Sequence, residues 1–168
     1  MSTTVPNTRV VTRQADGSRA VWAMGSLFEH LAEASETDGA LGVSIVTQPP
    51  GIATPLHRHT REAEAFYVLD GTISYRAGDE LFELTAGSFI YLPQGVPHAF
   101  RIRGDRPSRV LALTVPGSLM GLYDEVGKPA PEHRLPGRDG DPAEVEIRRW
   151  NDVGPRYGLE VVGPPIAE

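Results

Sequence analysis

Two histidines two positions apart, a glutamate five residues further on, and a third histidine in a later segment carry the clearest chemical signal in this chain. They are His57, His59, Glu64 and His98, within the runs GIATPLHRHTREAEAFYVLDG (51–71) and GSFIYLPQGVPH (87–98). A strand sends alternate side chains to opposite faces, so His57 and His59 share one face. Neutral imidazoles with a carboxylate suit a divalent transition metal. Four such ligands leave one or two coordination positions for water, O2 or a substrate oxygen. Structural zinc sites are usually closed and rich in cysteine, and this chain has no cysteine. Imidazole accepts iron, manganese, nickel, cobalt, copper and zinc, so one ion per chain is predicted without a choice among them. Glu62 stands two residues before Glu64 and, by parity alone, competes with it for the same face.

These residues must be held by strands that return beside one another. The dipeptides Asp70-Gly71 and Gly78-Asp79 read as hairpin turns. Short strands are predicted at Leu41–Gln48, Glu64–Leu69, Thr72–Arg76, Leu81–Leu84, Ser88–Leu92, Ala99–Arg103 and Arg109–Val115, the last two joined by the polar run GDRPS. Val21–Met24 and Ser26–Leu31 read as edge strands, Arg9–Arg13 as a short strand in an otherwise loose residue 1–18 segment, and residues 33–40 as a loop. Many short strands at near-regular spacing are the mark of an all-β sandwich or barrel. After Pro116 the pattern changes. Leu119, Leu122 and Val126 fall on one helical face, with Ser118 as N-cap and Gly127 as stop. Lys128–Asp141 reads as a linker or exposed loop. A second helix is predicted over Pro142–Trp150, opened by Asp141-Pro142, with a short turn before Tyr157.

The two ligand-bearing segments resemble the two signature motifs of the cupin family. Gly51, His57, His59, Glu64 and Gly71 fit the first motif without a gap, and its spacing selects Glu64 over Glu62. Gly87, Pro93, Gly95 and His98 fit the second, with Ile102 where the family has an asparagine that is not a metal ligand. The runs PGSLMGLYDEVGKPA (116–130) and YGLEVVGPP (157–165) resemble the tail of bacterial quercetinase-like cupins. The resemblance implies a double-stranded β-helix, a jelly-roll barrel with short C-terminal helices. It divides the chain into an N-terminal segment with edge strands (1–40), a barrel core (41–116) and a helical tail (117–168). Family habit and the edge strands imply a homodimer formed partly by strand exchange.

Composition sets the outer limits. The 168 residues suffice for one core, and 18 glycines with 15 prolines suit strands and turns better than helices. A net charge of −6 argues against a nucleic-acid partner. No apolar run is long enough to span a membrane. The start MSTTVPNTRV lacks the apolar core of a signal peptide, and the absence of cysteine agrees with a cytoplasmic protein.

Glu64 carries the expected chemistry. In quercetinase-like cupins, the resemblance implies, the matching glutamate takes a proton from a substrate hydroxyl. Alternation along the strands predicts a cavity lined by Phe66, Val68, Tyr75, Phe89, Tyr91 and Phe100. Such a lining suits a planar, hydroxylated aromatic or polyketide-like molecule. The leading expectation is a dioxygenase that cleaves a flavonol-like or other phenolic or enolic substrate with O2. A redox-neutral isomerase or polyketide cyclase, and a non-catalytic binding barrel, are the alternatives.

Overall fold

The computed structural model describes residues 9–14, 17–137 and 144–167. Twelve strands and two α-helices are named here in chain order: β1 (Arg19–Ala23), β2 (Ser26–Ala32), β3 (Gly42–Gln48), β4 (Leu56–His59), β5 (Ala63–Asp70), β6 (Thr72–Ala77), β7 (Glu80–Thr85), β8 (Phe89–Leu92), β9 (His98–Arg103), β10 (Ser108–Val115), α1 (Met120–Val126), β11 (Lys128–Pro129), α2 (Glu144–Val153) and β12 (Leu159–Gly163). They build two sheets, with orders β11-β1-β2-β3-β10-β5-β8 and β12-β4-β9-β6-β7. The predicted jelly-roll architecture is the one observed.

Inward positions follow the parity of each strand. On β3, Ser44, Val46 and Gln48 are buried while Val43, Ile45 and Thr47 are half-buried. Val46, Val68, Ile73, Tyr75, Ile102 and Val110 meet in the core between the sheets. Burial of such side chains is worth about 1.5–3 kcal/mol each. Ile102 belongs to this core, and its backbone N–H donates to the Ile52 carbonyl at 2.9 Å.

Gly78-Asp79 is a two-residue hairpin, since Ala77 pairs with Glu80. Asp70-Gly71 is not. β5 has β10 on one edge and β8 on the other, so β6 cannot pair with it. The dipeptide is a corner where the chain leaves one sheet for the other. Gly71 serves the corner because its φ is +89° and a Cβ would stand 2.7 Å from the Ser108 Cα.

Arg9–Arg13 forms no strand. Beyond β10 two further strands appear. Lys128–Pro129, expected in a loop, pairs with β1, and β12 pairs with β4. The expected helix opening at Asp141-Pro142 lies outside the described residues; α2 continues to Val153, and a 3-10 turn follows over Gly154–Tyr157. Ser118 is not a helix cap. It sits inside a 3-10 turn, Gly117–Leu119, and its hydroxyl donates to Glu62 Oε1 at 2.8 Å. The tail packs through Leu119, Leu122, Val126, Trp150, Val153 and Leu159.

Candidate metal centre

His57 and His59 leave β4 by its inner face, while Arg58 between them points outward to Glu160 on β12. His98 opens β9 and pairs directly with His57. Glu64 comes from the opposite sheet, on β5, where it faces Thr114 on β10 and Leu92 on β8. The group therefore bridges the two sheets. All four residues are buried, and one potential ligand atom from each lies within 4.8 Å of the others.

The ring orientations fit a metal. His57 Nδ1 lies 2.8 Å from the Pro55 carbonyl and His98 Nδ1 lies 2.9 Å from the Val96 carbonyl. Carbonyl oxygen only accepts, so both Nδ1 atoms carry a proton, which turns both Nε2 atoms to the centre, where a metal would take their lone pairs in place of any proton shared with Glu64. Glu64 Oε2 stands 3.0 Å from the Nε2 of both His59 and His98. The His98 contact has hydrogen-bond geometry; the His59 contact lies off the ring's bonding direction, leaving neither His59 nitrogen hydrogen-bonded. Buried, unpaired imidazole nitrogens aimed at a carboxylate are a ready donor set for a divalent ion.

Electrostatics supports the same assignment. Burial pushes His57 down to about 3, helped by its two histidine neighbours. It is a neutral ligand at ordinary pH. Burial also works against charge on His59, but the Glu64 carboxylate outweighs it and raises the ring. Burial would lift Glu64, yet His59 and His98 hold it well below the usual carboxylate range.

Glu62 stands outside this group. It is 1% exposed; Oε1 accepts from Ser118, and Oε2 has no partner among the described residues.

A cavity of about 280 Å3 opens beside the group, and His57, Glu64 and His98 form part of its wall. Phe66, Tyr75 and Phe100 line it, as alternation predicts. Val68 faces inward but is sealed within the core against the cavity-lining Val110. Phe89 and Tyr91 do not line it; they are 60% and 56% exposed. The register explains this. Glu64 and Phe66 pair with Leu92 and Ile90, so Phe89 and Tyr91, opposite Tyr67 and Ala65, share the outer face.

Strand alternation gives no sign of two further wall residues, Tyr123 and Trp150. Tyr123 stacks on Phe28 with ring centroids 4.2 Å apart, and Trp150 stands beside His57. Tyr123 follows Leu122 in a helix whose packing face is legible, which puts it on the neighbouring, cavity side. Burial, with the Glu64 charge behind it, raises the Tyr75 and Tyr123 phenols above their usual range. No lysine or arginine lines the cavity among the described residues.

Two packed antiparallel sheets with three buried histidines and a glutamate between them define a double-stranded β-helix protein with a site able to hold a metal. Residues 44–114, under half of the chain, match the cupin domain. It is 29% identical to the quercetin 2,3-dioxygenase of Bacillus subtilis (strain 168) over 99 residues, 59% of this chain and 29% of that protein. The chain thus matches well under two thirds of that relative's length. A predicted oxalate decarboxylase from Thermotoga maritima superposes with a TM-score of 0.56 at 20% identity, covering 64% of this chain and 99% of that one. The cupin domain of Cnp3 from Schizosaccharomyces pombe gives 0.54 at 17% identity, covering 67% and 79%. These two likenesses concern the fold alone. No helix among the described residues is long and apolar enough to cross a membrane.

Proposed function

We propose that this protein is a metal-dependent dioxygenase that cleaves a flavonol-like or other phenolic or enolic small molecule with O2. The observation that carries this reading is one carboxylate and three imidazoles set beside an apolar, aromatic cavity of about 280 Å3. Similarity to a quercetin 2,3-dioxygenase over 99 residues points the same way. The absence of a cationic lining among the described residues disfavours phosphorylated substrates.

His57, His59, Glu64 and His98 would hold a divalent metal, which when bound would supply Lewis-acid activation of a substrate hydroxyl and a redox partner for O2. His57 and His98 are pre-set by their carbonyl contacts in the ligating tautomer. Glu64, fixed beside His59 and His98, receives the hydroxyl proton on a carboxylate oxygen. Phe66, Tyr75, Phe100 and Trp150 flank a planar ring and exclude water from it. Tyr75 and Tyr123 remain protonated and act as donors to substrate oxygen rather than as competing bases.

Elemental analysis of purified, tag-free protein beside a His57→Ala/His98→Ala variant tests the centre, and an oxygen electrode tests the chemistry. The expected result is about one redox-active ion per chain, lost in the variant, with O2 consumed in step with quercetin or a related phenol. Zinc alone, or turnover without O2 uptake, would replace the dioxygenase by a redox-neutral isomerase or cyclase. No metal after reconstitution with several divalent ions would leave a binding barrel and overturn the proposal.

A further inference from the structure

The cavity has a second polar end. Glu64 faces Thr114 across the β5–β10 pairing, and Gln48 faces Ser108 across the β3–β10 pairing. Those two positions on β10 are six residues apart, roughly 20 Å of strand. Glu64 and Gln48 nevertheless line one cavity. The wall between them is apolar: Ala112, Val110, Val46 and Phe28. At the Gln48 end the β2–β3 register, Leu27 opposite Thr47, puts Ser26 beside Gln48, and Ser26 lines the cavity too.

Both groups are buried and unspent. Gln48 is 7% exposed and Ser26 is 3% exposed. Gln48 Oε1 accepts from Ser108 Oγ at 3.4 Å, which leaves the carboxamide N–H donors without a protein partner among the described residues. The Ser26 hydroxyl likewise has none. Buried side-chain donors and acceptors are almost always paired, because an unpaired one costs about 1–3 kcal/mol. Gln48 and Ser26 stand side by side on the wall of a ligand-sized cavity with hydrogen-bonding capacity that no side chain there uses, so they are placed to pair with a ligand.

We propose that Gln48 and Ser26 form a distal polar subsite that reads a hydroxyl or carbonyl on the far end of the substrate. The inference rests on the dioxygenase reading for what sits at the metal end. It narrows the substrate class to an elongated molecule of two or three rings, oxygenated at both ends and apolar between. Gln48 donates to the distal oxygen, and the Ser26 hydroxyl donates to it or accepts from its proton. A compact phenol would leave both groups unpaired and so bind poorly.

The test is an anaerobic equilibrium titration of metal-loaded protein with two probes. Quercetin and 3-hydroxyflavone share the same hydroxy-ketone head, and only quercetin carries hydroxyls on its outer rings. Wild type is expected to prefer quercetin by about tenfold or more. Gln48→Leu should abolish that preference while binding 3-hydroxyflavone as tightly as wild type. Ser26→Ala, a smaller deletion less able to disturb folding, should reduce the preference in part. Equal affinity of wild type for the two probes, or a preference that survives in both variants, would overturn the distal subsite and leave the dioxygenase reading in place. Failure of metal-loaded wild type to bind either probe would overturn both.

Discussion

The Trp150 indole meets the His57 imidazole edge to face, with ring centroids 6.0 Å apart. This contact joins α2 to a candidate metal ligand. Trp150 also belongs to the cluster in which Leu119, Leu122 and Leu159 pack against the tail helices. The tail is thus a wall of the cavity as well as a packing element.

That proximity makes Trp150 a reporter for the centre. The chain has two tryptophans, and Trp22 lies elsewhere, against Lys128 and the Arg134 carbonyl. Adding Cu2+ or Co2+ to apo-protein should quench the Trp150 emission. The quench should persist in Trp22→Phe and disappear in Trp150→Phe. Trp150→Ala should cost about 3–5 kcal/mol in a denaturant melt, because it empties a buried site shared by both helices.

Ser118 and Glu62 connect the start of the tail to the turn that follows β4. Ser118→Ala removes the donor to Glu62 Oε1 and leaves a carboxylate that is almost wholly buried without a partner. The expected loss is about 1–3 kcal/mol. In a double-mutant cycle, Ser118→Ala combined with Glu62→Leu should cost less than the sum of the single changes, since the pair is then removed together. Strict additivity would mean that the hydrogen bond contributes nothing.

What can be read from the chain alone follows from how far each signal reaches along it. His57, His59, Glu64 and His98 are legible because period-two alternation and fixed spacing encode them locally. Asp70-Gly71 misleads because a dipeptide reports its own backbone conformation and not its neighbours; β5 takes both partners from later in the chain. Phe89 and Tyr91 mislead for a related reason. Apolar character gives no face, and only the pairing of Leu92 with Glu64 turns both rings outward. Leu159–Gly163 is hard to see as a strand because most of its residues are exposed and its partner, β4, lies far back in the sequence. Gln48 and Ser26 look like ordinary strand-end polar residues until one cavity is seen to reach from them to Glu64.

Gly127 sets the distance between α1 and the edge of the first sheet. Its φ is −85°, open to any residue, so conformation does not explain the glycine. Space does: a Cβ would stand 2.4 Å from the Trp22 carbonyl oxygen and 2.7 Å from that of Tyr123. Gly127→Ala must push the helix end away from β1. A loss of about 1–3 kcal/mol is expected in thermal or denaturant unfolding. Gly137→Ala, with nothing near its Cβ, is the control and should be close to neutral.

Asp124 gives the fold a defined acid limit. Its carboxylate receives His30 Nε2 at 3.0 Å and Arg19 at 2.7 Å and 2.9 Å. Burial alone would raise it, but these contacts outweigh burial and bring it down to about 2. The folded value lies below the unfolded one, so the interaction stabilises fully above about pH 4 and is lost as the pH falls toward 2. Partial solvent screening keeps the contribution to about 1 kcal/mol. Urea melts of wild type and Asp124→Asn should therefore differ at pH 5 and converge as the pH approaches 2. A difference that stayed constant across this range would show that Asp124 acts through shape and hydrogen bonding and not through its charge.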